Sequence, residues 1–169
     1  MAALKTKLKL VDVEPAFEVD PIEGFEPTLL ATVEHLDRYW PQASEHLARC
    51  VDEAMHGELT LQDLYEGIKA GTMYGLVVKN DSGELPEVAL AMIFETHTYP
   101  QYTVLNITAL GGREMTAIKE KFWKHVCSWA YMNGVRKLEC SASPAMARIL
   151  KRFGFESVYT TMRMDITEI

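Results

Sequence analysis

Glu95 and His97 stand two apart in a run of β-favouring residues, so in extended backbone both side chains leave the same face. A carboxylate beside an imidazole can take up or release a proton near neutral pH, which is the equipment of general acid–base chemistry. The competing reading is an exposed strand end beside the Tyr99-Pro100 turn. Tyr159 offers a third proton-transfer group through its phenol, although a tyrosine in a final strand also serves as packing. The other reactive residue types are scattered. His35, His46, His56 and His125 show no metal-ligand spacing with one another or with the cysteines. Cys50, Cys127 and Cys140 are too widely spaced for a disulfide framework or a zinc pattern, and read as reduced thiols. Cys127 lies in a long helical pattern, where a buried structural thiol is expected. Cys140 has no histidine nearby in sequence, which leaves a Cys/His nucleophile open.

The elements that position these residues follow from hydrophobic period. Residues 6–13 alternate as a first strand, with lysines that blunt an edge. Residues 14–27 hold Pro15, Pro21, Pro27 and Gly24 and read as an acidic, extended connection or docking arm. From residue 28 the apolar spacing is helical, and Pro41 either kinks that helix or starts another. A second helix opens on the capping-box spacing of Thr60 and Asp63 and stops at Gly71. The period then changes to that of strands at residues 73–79, 88–98 and 102–110, the last two pairing as a hairpin. Gly111-Gly112 opens the longest helix, which Asn133-Gly134 ends. Residues 135–141 form a short strand. Ser143 caps a helix with Pro144 at its first position, Gly154 stops it, and residues 156–164 form the last strand.

These elements make an α/β (α+β) chain with a mixed, mostly antiparallel sheet and helices on both faces. Residues 1–27 read as an N-terminal strand and connection, and residues 28–169 as one domain. The net charge of −7 repels phosphate backbones, so nucleic acid is not an expected partner. Lys5, Lys7 and Lys9 are the one basic stripe, read as a solvated strand face. No apolar run approaches the ~20 residues of a membrane helix, and the N-terminus lacks the apolar core of a secretion signal. A soluble protein is expected.

The order of elements, and above all the segment from Ser143 through Leu150 to Gly154-Phe155, resembles the GNAT superfamily of acyl-CoA N-acyltransferases. The runs His35 to Pro41 and Thr60 to Tyr65, followed by the Gly111-Gly112 helix, look similar to GNAT-like proteins of bacteriophages, some carried inside the virions of short-tailed phages. The resemblance implies a sheet that opens beside its fourth strand and an acetyl-CoA site at Thr108, Ala109, Leu110, Gly111, Gly112 and Arg113. There unpaired N–H groups and the helix dipole would meet the pyrophosphate. The family's full Gly-x-Gly or Gly-x-Ala loop is absent, and Glu114 competes for the same positive end. A plain strand-to-helix turn therefore remains the alternative. Many relatives place a tyrosine acid where this chain has Leu150, and often a carboxylate base on the fourth strand, where this chain offers Thr103, Asn106 and Thr108. Glu95, His97 and Tyr159 are then the remaining candidates. Two roles follow. One is a non-catalytic structural or virion-associated protein that binds a protein partner, such as other virion components, in the host cytoplasm or the particle. The other is an active N-acetyltransferase on a protein or small-molecule amine.

Overall fold

The computed structural model describes residues 21, 23–80, 86–113 and 115–168. Their elements run β1 (Phe25–Leu29), α1 (Val33–Ala54), α2 (Leu61–Lys69), β2 (Tyr74–Asn80), β3 (Glu87–Thr98), β4 (Thr103–Gly112), α3 (Met115–Met132), β5 (Lys137–Glu139) and α4 (Pro144–Leu150). Short 3-10 turns follow at Lys151–Phe153 and Ile166–Glu168. The strands form one sheet in the order β1-β2-β3-β4-β5, antiparallel except for the parallel pair β4 and β5.

Alternation along the strands splits the interior in two. Leu76, Val78, Leu90, Met92, Phe94, Leu105 and Ile107 face Phe122, Val126 and Leu150 of α3 and α4. Val77, Ala91, Ile93 and Ala109 face Leu36, Ala43, Leu47 and Leu64 of α1 and α2. Helices thus cover both faces, and each buries the stripe that its periodicity marks. Thr60 and Asp63 form the capping box that opens α2, with each side chain bonded to the other's backbone N–H.

Three elements differ from the sequence reading or decide what it left open. Of the two alternatives at Pro41, the start of a new helix is excluded, because α1 runs from Val33 to Ala54 with the proline inside it. Its buried residues Leu36, Tyr39, Ala43 and Leu47 lie on both sides of the proline. That burial offsets the lost backbone bond, which costs about 3 kcal/mol. The edge strand of the described sheet is Phe25–Leu29, which takes in residues 25–27, assigned above to the acidic connection, and Thr28 and Leu29, assigned above to the helix, which begins only at Val33. Pro27 is tolerated there because only one side of an edge strand is paired. Residues 156–164, expected as the last strand, take no place in the sheet, and their side chains are exposed. The strand at 6–13, the lysine stripe and Glu114 lie outside the described residues.

Two irregularities shape β4. The ladder with β3 slips between Ile93 and Phe94, because Ile93 pairs with Ala109 while Phe94 pairs with Ile107. Thr108 is therefore an extra residue, a β-bulge that bends the strand and changes its twist. On its other side β4 pairs with β5 only at Val104, Leu105 and Asn106. From Ile107 to Gly112 no described strand lies beside it, so the sheet forks where the bulge begins.

Candidate functional site

Glu95 and His97 project from the same face of β3, on the side of α1 and α2 but beyond the part those helices cover. Glu95 pairs across the sheet with Asn106, and Asn106 with Glu139 on β5, which puts three polar side chains in one row. The row ends at the last paired rung before the fork. Asn106 donates its amide to Glu95 Oε1 at 3.0 Å, and the Thr108 hydroxyl approaches the same oxygen at 3.4 Å. His97 bridges the two carboxylates: Nε2 stands 3.2 Å from Glu95 and Nδ1 3.2 Å from Glu139. The side chains of Glu95, His97 and Glu139 are 31%, 43% and 29% exposed, so the cluster is reachable from solvent yet fixed by its own bonds.

Tyr99, just past the end of β3, donates its hydroxyl to Glu139 at 3.2 Å. That bond pushes the phenol up to about 12, aided by burial, by the negative charge of Glu139 and by a hydrogen bond with Tyr159. The fold thus brings Glu95 and His97 together, while Tyr159 lies exposed near Tyr99. It adds Tyr99 and Glu139, which the sequence reading left as a turn residue and a strand residue. Only the odd parity of Glu139 in its strand hinted at the second. Neither Cys127 nor Cys140 is primed as a nucleophile. Cys127, expected as a buried thiol, is exposed on α3, although partial desolvation still raises its thiol; burial with the Glu139 charge raises that of Cys140.

The stretch from Thr108 to Arg113 departs from the simple phosphate loop. Gly111 and Gly112 lie within β4, paired with Ala91 and Leu90, and α3 begins only at Met115. A Cβ on Gly111 would fall 1.9 Å from the carbonyl oxygen of His46, so this glycine admits the close approach of α1. A Cβ on Gly112 would meet the Ala89 carbonyl at 2.5 Å. The Arg113 N–H is bonded to that same carbonyl, and its guanidinium pairs with Glu87 at 3.0 Å on the surface. Ala109 is buried against α1. Leu110 faces the other way and lines a narrow apolar recess of about 10 Å³ with Trp123, Met146, Ile149 and Leu150. Leu150, 6% exposed, is a wall of that recess and part of the core beneath it.

Among the described residues no group of three or more His, Cys, Asp or Glu is placed to hold a metal ion. No helix among them is long and apolar enough to cross a membrane.

No known family profile and no curated protein matches the chain. Solved structures do. A predicted acetyltransferase with acetyl-CoA from Clostridium acetobutylicum superposes with a TM-score of 0.61 at 9% identity, over 86% of this chain and 98% of that one. An aminoglycoside acetyltransferase from an uncultured soil metagenomic sample, in complex with sisomicin, gives 0.62 at 13% identity over 85% and 97%. An aminoglycoside N-acetyltransferase in complex with CoA gives 0.59 at 14% identity over 92% and 98%. The chain therefore has the GNAT acetyltransferase fold. The likeness establishes the architecture, and the chemistry has to be argued from the site.

Proposed function

We propose that this protein is an acetyl-CoA-dependent N-acyltransferase acting on an amine of a protein or small molecule, with its active centre at the fork between β4 and β5. The observation that carries the reading is the cluster of Glu95, His97, Tyr99, Asn106 and Glu139, gathered at the last rung before the strands part.

Acetyl-CoA fits the opened half of β4. The edge from Ile107 to Gly112 faces no described strand, so its backbone groups are free to pair with an extended amide chain. Bound there, the cofactor supplies an acyl group activated as a thioester. Thr108, Ala109 and Leu110 would hold it through backbone. Gly111 and Gly112 contribute by close packing, and Arg113 reaches a phosphate by leaving the exposed Glu87. An amine reaches the opposite face of the fork as an ammonium ion, which the Glu95 and Glu139 carboxylates attract. Glu95, oriented by Asn106 and Thr108, is placed to accept its proton. His97 lies between both carboxylates and can pass that proton on. Tyr99 remains a donor throughout the neutral range, because its phenol ionises only at about 12.

The test combines calorimetric titration with acetyl-CoA and an assay of CoA thiol release against a panel of primary amines, including a polyamine, an aminoglycoside and a lysine-containing peptide. Saturable binding with amine-dependent thiol release is expected. Absence of both at millimolar cofactor would overturn the reading.

A second reading is favoured by a separate observation: Gly111, Gly112 and Arg113 already have structural partners, and Leu150 carries no proton. On that reading the chain is a non-catalytic binding protein of bacteriophage type, which holds a protein partner in the virion or the host cytoplasm. Acetyl-CoA would then leave the calorimeter silent.

A further inference from the structure

Lys137 stands beside the acidic cluster and does not join it. It leaves the same face of β5 as Glu139, two residues on, so the two Cα atoms are about 6.6 Å apart along the strand. That gap is within reach of the flexible four-carbon stem of a lysine. The parallel register seats Lys137 beside Val104, which pairs in turn with His97. Lys137 thus lies in the row next to that of Glu95, Asn106 and Glu139. Glu139 Oε1, however, is taken by His97 Nδ1 and by the Tyr99 hydroxyl. The Lys137 ammonium pairs with no carboxylate among the described residues. Its Nζ stands 4.1 Å from the centre of the Tyr102 ring instead.

The turn between β3 and β4 puts that ring in place. The Tyr99 N–H donates to the Tyr102 carbonyl at 2.8 Å, and the two rings pack with centroids 5.4 Å apart and planes inclined by 52°. Tyr102 is 42% exposed, and its hydroxyl has no hydrogen-bond partner among the described residues. What it offers is a ring face, which attracts a cation through its electron-rich π system. At exposed sites a cation on a tyrosine face and an ion pair are of similar strength. The ring therefore decides where Lys137 rests. With it, the ammonium stays on Tyr102; without it, the carboxylate two residues along the same face is within reach.

The consequence falls on the charge of the fork. Glu95 and Glu139 attract an incoming ammonium ion only while their charge is not cancelled from within. A lysine drawn onto Glu139 would cancel half of it and would compete for the same oxygens. We propose that Tyr102 is a positioning residue, which holds Lys137 off Glu139 and so keeps the fork selective for an amine that arrives as an ammonium ion. The proposal rests on the reading of the fork as an acceptor site. Tyr102 acts on the acceptor through Lys137 alone.

Steady-state kinetics test this with putrescine, kanamycin and a lysine-containing peptide, all cationic at neutral pH, using whichever is turned over. Tyr102→Leu should raise KM for the amine about twofold to fivefold, with kcat and acetyl-CoA affinity unchanged. The rise should shrink at high salt, where exposed charges are screened. Tyr102→Phe keeps the ring and should keep KM. Lys137→Met should cancel the rise in the Tyr102→Leu background. A second signal needs no turnover. In NMR spectra the Lys137 ε-methylene protons should be moved upfield by the ring in the native chain and in Tyr102→Phe, and should return to ordinary lysine positions in Tyr102→Leu. A native KM in Tyr102→Leu, or a rise that persists without Lys137, overturns the proposal and leaves the fork catalytic. So does an unshifted Lys137 signal in the native chain. A chain that turns over no amine overturns the reading of the fork, and this proposal with it.

Discussion

At the scale of single residues, the cluster divides its labour by hydrogen bonding. Glu95 accepts from Asn106 and Thr108 through one oxygen and meets His97 at the same atom. Glu95→Gln keeps the shape and removes the acceptor charge. Turnover with an amine should fall about 10²–10⁴-fold, the usual worth of a general base, while acetyl-CoA affinity stays unchanged by calorimetry. Tyr99 gives a prediction that needs no substrate. Its phenol ionises at about 12 in the folded chain, against about 10 for an unfolded tyrosine. The folded state therefore binds this proton more tightly. The resulting stabilisation is complete below about pH 10 and is lost as pH rises toward 12. Tyr99→Phe should flatten that part of the stability profile, measured by denaturant unfolding at stepped pH, and should delete one tyrosinate step from the ultraviolet titration.

At the scale of elements, β4 is shaped by two devices with different purposes. The Thr108 bulge turns the strand away from β5 after Asn106 and so makes the fork. Gly111 lets α1 lie against the strand, with His46 bonded through its ring to the Val88 carbonyl at 2.6 Å and Gln42 accepting from the Val88 N–H at 2.8 Å. Both side chains belong to the same turns of α1 that pass over Gly111. Gly111→Ala places a carbon against a backbone oxygen that cannot swing aside. It should cost about 1–3 kcal/mol, the range of overpacked cores, seen as a lower denaturation midpoint. The loss should appear without cofactor, which separates packing from ligand binding. Substitution of Gly112 would disturb the ladder with β3 in the same way, so a loss of cofactor binding there would not by itself locate the pyrophosphate.

At the scale of the whole molecule, the reading of the fork predicts linkage: a ligand held only by the folded chain raises its stability. At about 100 times its dissociation constant, acetyl-CoA should add about 2.7 kcal/mol, a clear rise in thermal midpoint by calorimetry. The phage-type binding reading predicts no shift. Much of this architecture was legible in the chain, because local rules set it. Leu61, Leu64 and Ile68 announce a helix by spacing, Thr60 and Asp63 cap it, and the unbroken apolar run of β3 needs cover on both faces. Pro41 left two outcomes open, and burial on both sides of it, which outweighs one missing bond, decides for a single helix. Residues 156–164 kept the alternation of a strand, but pairing needs a free edge within reach, and alternation does not supply one. The site was legible only in part for the same reason. Glu95 and His97 are close in sequence and share a strand face, whereas Tyr99 meets Glu139 across 40 positions of chain. That meeting depends on the parallel register of β4 and β5, a non-local contact that no local pattern encodes.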